Sequence, residues 1–187
     1  VMTHSNKGGL VNGVDPKRTH AIVDLIRNDT TGDVAKPAYR TTVAWDSGYH
    51  ATMHVTDGQM VFADEPQRYG GEGMGITPED LLLTAVGSCL VATYIGGLSA
   101  ASINVEYLRL SVSGRVNFRA AFALEPGSPG FEDIKVVVDL QTDAPEQKVI
   151  ELLEKLYKAA PIPDTIMRPV PVNVEINHHS EAKACSP

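Results

Sequence analysis

The sequence predicts an α+β protein with antiparallel sheets, because strand patterns and helix patterns occur in separate blocks of the chain. Strands with alternating polar and apolar residues stand before and after one long uncharged segment, and successive strands are joined by short turns. The chain has 187 residues and is 43% hydrophobic. This composition suits one globular domain with its own core and excludes bulk disorder.

The first 36 residues are predicted to form an extension with one short helix. Asp15 can cap this helix, and Pro16 suits its first position. The main domain should follow over residues 37–177, and residues 178–187 should form a mobile tail. The apolar face of the helix, which we expect to pack on the main body, consists of Ala21, Ile22, Leu25 and Ile26.

Three strands are predicted after the extension. Residues 39–46 and 49–56 alternate in polarity and flank the pair Ser47 and Gly48, which is typical of a tight hairpin turn. A third strand is predicted at residues 59–63. We expect these strands to form the first antiparallel sheet.

A glycine-rich loop then leads into a long helix. Four of the six residues at 70–75 are glycine, but the Lys-Ser/Thr pair of a phosphate-binding loop does not follow. We therefore interpret this stretch as a flexible crossing loop and expect no cofactor. Thr77 can cap the helix, and Pro78 suits its first position. The acidic residues Glu79 and Asp80 complement the positive end of the helix dipole.

The long helix is predicted to run to about residue 102, within a stretch, residues 81–105, that includes no charged residue. This length could span a bilayer. However, the segment is diluted by glycine, serine and threonine, and its flanks are acidic rather than basic. We therefore favour a core helix of a soluble protein and expect no membrane partner. Since it is apolar all round, such a helix must be covered on every side.

The C-terminal half is predicted to hold a second strand pair and a second helix. Residues 106–118 alternate, and so do apolar residues at 134–140, which indicates an antiparallel pair with one solvated face. Residues 143–146 have the pattern of a helix start, and the following residues have one apolar face. A final edge strand is predicted at residues 170–176.

The charge and the cysteine content limit the possible functions. The formal net charge is −7, so a nucleic-acid partner is not expected. Cys89 and Cys185 are too few for a disulfide framework, and residues 1–7 lack the apolar core of a secretory signal. These features predict a cytoplasmic protein. His178 and His179 lie near Cys185, but a mobile tail does not place the four ligands of structural zinc, so no metal is expected.

Any chemistry of this chain should centre on Cys89, in the uncharged helix. Two interpretations remain open, because a cysteine in an apolar helix is usually an inert small hydrophobe, whereas a thiolate beside charged groups is reactive. Glu79 lies ten residues earlier, which is nearly three helical turns. Contact between the two side chains would require the first turn to unwind or another chain to intervene.

Several motifs together resemble the OsmC/Ohr family, the osmotically inducible and organic hydroperoxide resistance proteins. Residues 64–90 combine a glycine-rich loop, a T-P-E-x-L helix start and a cysteine ten positions after the glutamate. The P-G-F-x-x-I strand at 129–134, the D-A-P-E helix start at 143–146 and the segment P-I-P-D-T-I-M-R-P-V-P-V at 161–172 also match. The resemblance covers residues 39–176.

The resemblance implies an intertwined homodimer in which the sheets of both subunits wrap long central helices. It also implies thiol-dependent reduction of organic hydroperoxides, with Cys89 as the attacking thiolate. Glu79 and Arg68 would form a charged pair beside the sulfur, the arginine lowering the thiol pKa. Arg68 is offset by one residue from the family position, so a solvated loop arginine is the alternative.

The sequence departs from this family at the second cysteine, whose position holds Ala160. With its additional N-terminal helix, the sequence resembles a longer OsmC-like branch that also lacks the second cysteine. A catalytic cycle would then need an external thiol or dithiol reductant, or Cys185 from the tail. The alternative function is a non-catalytic dimer that binds a hydrophobic or electrophilic small molecule rather than turning over an apolar hydroperoxide.

Overall fold

The computed structural model describes residues 9–179, apart from the side chain of Asp57. Cys185 and residues 180–187 of the predicted tail lie outside the described residues. The described residues form five α-helices and five strands. In chain order these are α1 (Pro16–Asn28), β1 (Thr42–Ser47), β2 (His50–His54), β3 (Met60–Ala63), α2 (Pro78–Ala100), β4 (Val105–Val116), α3 (Phe118–Ala121), β5 (Phe131–Thr142), α4 (Glu146–Tyr157) and α5 (Pro161–Met167).

The strands form two antiparallel sheets, which confirms the predicted α+β class. One sheet has the order β1-β2-β3, and the other consists of β4 and β5. In the second sheet Leu110 pairs with Val138 and Leu108 with Leu140. Side chains alternate across each strand, so the same face of both strands is apolar and packs on the core.

The core is built on one face of α2. Thr77 caps this helix by accepting a hydrogen bond from the Asp80 N–H at 3.1 Å, and Pro78 is its first residue. The helix packs against β4 and α4. Gly97 allows the close approach to α4, because a Cβ there would overlap the side chain of Leu156. The buried residues recur every four positions along the helix, at Val86, Leu90, Tyr94 and Leu98.

The opposite face of α2 is open in the single chain. Thr84, Ser88 and Val91 are exposed, so a single chain does not cover the helix on every side. Among residues 9–179, α2 is the one helix that is long and apolar enough to cross a bilayer by length and composition, and 22% of its most apolar window is buried. The sheet and α4 reach only one side of it.

Two further expectations are corrected at the ends of the chain. Residues 170–176 form no strand, and Val172 and Ile176 stay 86% and 84% exposed. Among residues 9–179 no strand lies beside this segment, and its prolines lack the backbone N–H groups that a β-ladder requires. α1 begins at Pro16 after the Asp15 cap, as predicted, but its apolar face is open to solvent, with Leu25 59% exposed.

The region from the second helix to α5 also differs from the prediction. Asp143 does not cap α4, because its carboxylate accepts hydrogen bonds from the backbone and side-chain N–H groups of Asn104. α5 was not predicted, since its prolines indicate an extended segment. Pro161 nevertheless suits a first helical position, and Ala160 immediately before it is fully buried.

The N-terminal extension is fixed to the core through Asn12. Its side-chain amide donates to Ser99 Oγ at 3.0 Å and to the Ile103 carbonyl at 2.9 Å, and its Oδ1 accepts from the Val105 N–H at 2.8 Å. Ser99 is 1% exposed, so this contact lies inside the protein. Asn12 has φ of 53°, a left-handed conformation that asparagine tolerates. One side chain therefore joins the extension to the end of α2 and the start of β4.

We predict that Asn12→Gly lowers the free energy of unfolding by about 2 to 3 kcal/mol, because three hydrogen bonds are lost and their partners are partly buried. Glycine keeps the left-handed backbone accessible, so the loss reports on the amide. Urea unfolding would measure it. Asn173→Gly, at an exposed position without a regular element, is the control. Equal stability of the two variants would contradict the anchoring role.

Candidate functional site

Cys89 lies on α2 at the border between its buried and its open face. The residue is partly buried and packs against the core cluster that contains Leu90 and Ala160. Its carbonyl accepts a hydrogen bond from Thr93 Oγ1 at 2.8 Å. Within residues 9–179, the sulfur forms no hydrogen bond and no disulfide. The thiol is therefore near the surface but has no charged partner in the part of the chain that the structure describes.

Glu79 is held away from Cys89 by the helix that carries both. It lies in the first turn of α2, which is intact from Pro78 onward. Ten residues of α-helix correspond to about 15 Å along the axis. The side chains cannot bridge this distance. Contact between Glu79 and Cys89 requires either an unwound first turn or a second chain. The first turn is helical, so contact requires a second chain.

Arg68 lies in the loop that leads into α2, on the short 3-10 turn Gln67–Tyr69. Its guanidinium carbon lies 5.0 Å from the centre of the Tyr69 ring, which meets Phe118 edge-on with ring centres 5.0 Å apart. In the described part of the chain, Arg68 makes no ion pair with Glu79 or any other carboxylate. The three predicted site residues are thus not assembled within one chain.

Asp64 is a residue of this region that sequence reasoning missed. It follows β3 directly and is 3% exposed. Its carboxylate accepts N–H groups of Glu65 at 2.8 Å, Glu72 at 3.1 Å and Met74 at 3.0 Å. The Met74 N–H contributes most to lowering the pKa of Asp64 below its usual value. An aspartate at the end of a strand before a glycine-rich loop is the available sequence signal for such a turn.

The surroundings of Glu65 raise the pKa of its carboxyl, whereas those of Asp64 lower it. Burial, and then the negative charges of Glu79 and Asp64, raise its pKa above the usual value. The first turn of α2 and the end of β3 therefore place the carboxylates of Glu79 and Asp64 within electrostatic range of Glu65. An arginine from outside this part of the chain would neutralise some of this negative charge.

Two cavities lie along the second sheet. One, of about 350 Å³, is lined mostly by apolar side chains; it includes Val86, one turn before Cys89, and Met167 of α5. The larger, of about 690 Å³, lies between β5 and α4 and includes Tyr94 and Tyr157. Both offer space for an apolar molecule.

We predict that Glu65→Gln stabilises the protein at pH 7 by a few tenths of a kcal/mol. Because folding raises the pKa of this carboxyl, the folded state loses stability as pH rises and the group ionises, and glutamine avoids that loss. Below about pH 3 the two proteins should be equally stable, since the carboxyl is then protonated. Urea unfolding at both pH values tests this, with Glu132→Gln on the exposed face of β5 as control. A gain that persists at low pH would contradict the electrostatic cause.

The fold resembles solved structures of one family. An OsmC-like protein from Mycoplasma pneumoniae matches with a TM-score of 0.61 at 19% identity, over 71% of this chain and 89% of the other. An organic hydroperoxide resistance protein OsmC from Legionella pneumophila matches with 0.52 at 19% identity, over 70% and 90%. An OsmC-like protein of unknown function from Vibrio cholerae matches with 0.54 at 11% identity, over 68% and 92%.

The sequence comparison agrees with the structural one. Curated protein sequences give no significant match. The family model of the OsmC-like proteins matches residues 71–175, which is more than half of the chain and includes α2 with both Glu79 and Cys89. At these low identities the solved structures establish the fold alone, whereas the match to the family model assigns the sequence to a family. The chain belongs to the OsmC-like protein family.

Proposed function

We propose that this protein reduces organic hydroperoxides in the cytoplasm, with Cys89 as the reacting thiol. The observation that carries the proposal is the position of Cys89 on α2. It is partly buried, borders the open face of the helix, and lies ten residues after the glutamate of the T-P-E helix start, the spacing on which the resemblance to the family rests. The description of the Legionella relative as an organic hydroperoxide resistance protein supports the same class of substrate.

The reaction would proceed by attack of the Cys89 thiolate on the terminal oxygen of the hydroperoxide. The O–O bond breaks, the sulfur is oxidised to a sulfenic acid, and the leaving alkoxide takes up a proton and departs as an alcohol. An external thiol then attacks the sulfenic acid, which releases water and forms a mixed disulfide. A second thiol regenerates Cys89 and leaves as part of a disulfide product.

The reductant must come from outside the domain, because the core offers no second thiol. Ala160 occupies the position of the family's second cysteine and is fully buried. Cys89 is the only cysteine among residues 9–179. A monothiol or dithiol therefore completes the cycle in this proposal, and Cys185 of the tail is the alternative source of the thiol.

The site is proposed to form between two copies of the chain. An intact helix keeps Glu79 about 15 Å from its own Cys89, so a second copy would have to supply the charged groups. The open face of α2 and the exposed apolar side chains of β1 support burial against such a copy, with Val43 61% and Trp45 76% exposed. Glu79 and Arg68 of one copy would then flank Cys89 of the other.

We predict that the wild-type protein consumes an alkyl hydroperoxide such as cumene hydroperoxide when supplied with a dithiol or monothiol, and that Cys89→Ser abolishes this turnover. Ser128→Ala, at an exposed position in the loop between α3 and β5 and away from α2, is the matched control and should retain it. Peroxide consumption can be followed colorimetrically. Turnover that is absent with every reductant, or that survives in Cys89→Ser, would contradict the proposal.

The second candidate function is a dimer that binds a hydrophobic or electrophilic small molecule without turnover. Two observations favour it: Cys89 has no charged partner among residues 9–179, and two cavities with largely apolar linings lie along the second sheet. The alkylation rate of Cys89 against pH separates the two functions. An activated thiolate reacts at full rate well below pH 8, whereas an inert thiol gains reactivity only around the free value of about 8.5.

A further inference from the structure

We propose that Asp64 is a positioning residue for this site: its carboxylate fixes the shape of the loop that presents Arg68. The inference rests on the proposed function, since it assigns the loop a task in that reaction. Asp64 itself is buried and has all its hydrogen bonds within the loop, so it would act through Arg68 rather than on the substrate.

The Asp64 carboxylate joins the two ends of a loop that extends ten residues along the chain, to Met74. One oxygen accepts the N–H of Glu65, and the other accepts those of Glu72 and Met74. The turn that carries Arg68 lies between these anchors. Hydrogen bonds from backbone N–H groups to an ionised carboxylate are stronger than neutral ones, so a single side chain can hold both arms of the loop together.

The backbone around Asp64 shows why the loop is rich in glycine. A Cβ on Gly71 would overlap the Glu65 carbonyl, and a Cβ on Gly75 would lie 2.6 Å from the carbonyl carbon of Ala63. These two glycines are therefore required by close approach of backbone segments. The sequence-based expectation of a flexible crossing loop is wrong at this point, because the glycines allow a compact, hydrogen-bonded loop.

The loop is also fixed on both sides of the arginine. At its base, the Ile76 N–H donates to the Phe62 carbonyl at 3.0 Å, which ties the end of the loop to β3. At its tip, the Tyr69 ring packs edge-on against Phe118. Arg68 lies over that same ring. Loss of the Asp64 carboxylate would free the segment between these two contacts and with it the position of the guanidinium.

A double-mutant cycle tests the link between Asp64 and Arg68. Asp64→Ala is expected to lower kcat/KM for cumene hydroperoxide about tenfold in the wild-type background and to change it little in an Arg68→Ala background. Asp64→Asn retains one acceptor oxygen and should give an intermediate loss. Asp143→Ala, which removes another carboxylate that binds backbone N–H but lies outside this loop, is the control and should keep full activity. If the fold loss of kcat/KM in the double variant equals the product of the losses in Asp64→Ala and Arg68→Ala alone, the inference is overturned.

A second readout does not depend on activity. Trypsin cleaves after Arg68 only when the loop opens, so Asp64→Ala should accelerate that cleavage about tenfold or more while cleavage after Arg27 in α1 stays unchanged. Gly71→Ala should have the same effect, and Gly130→Ala, where a Cβ would meet open space, should have none. An unchanged rate after Arg68 in both loop variants would overturn the inference.

These readouts also separate this inference from the proposed function. A wild-type protein without peroxide turnover would refute the function, while the cleavage rate would still decide whether Asp64 shapes the loop. If Asp64→Ala does not fold, as judged by thermal unfolding, Asp64→Asn and Gly71→Ala provide both readouts. Faster cleavage after Arg68 with unchanged kcat/KM would show a purely structural residue and would overturn the positioning role.

Discussion

α2 is one uninterrupted helix from Pro78 to Ala100, and the arrangement of the whole chain depends on it. Its rigidity sets the distance between the acidic first turn and Cys89, and the lack of charge after that turn requires apolar cover. The second sheet and α4 cover one face only. The same helix thus separates the residues that resemble a peroxide site and leaves the apolar surface on which a second copy could bring them together. Burial of that surface and assembly of the site would be a single event in the proposed dimer.

The loop before α2 shows how a short segment can be ordered without regular structure. The Asp64 carboxylate accepts hydrogen bonds from three backbone N–H groups, in place of the bonds that a sheet would provide. Gly71 allows two backbone segments of the loop to approach closely. Negative charge is concentrated there, because Glu79 and Asp64 both lie within electrostatic range of Glu65. In the proposed site this charge would help to orient the guanidinium of Arg68 toward the substrate.

Periodicity predicted the parts of the fold that depend on local sequence. α2 and the β4–β5 pair follow from their apolar spacing, and Cys89 follows from its position in an uncharged helix. What the sequence could not give depends on contacts between distant segments. The segment 170–176 finds no partner strand in the described part of the chain, and the role of Asp64 depends on backbone groups up to ten residues away. Ala160 was found by comparison with a family motif, but its complete burial is a property of the packed core.

Subunit complementation tests the central claim, that the site forms between two copies, most directly. Cys89→Ser and Glu79→Gln would be purified separately, mixed in equal amounts, and allowed to exchange subunits before peroxide turnover is measured. If Glu79 acts across the interface, each mixed dimer regains one intact site, and the mixture should reach about a quarter of wild-type turnover. A mixture no more active than the mean of the two separate variants would contradict the account.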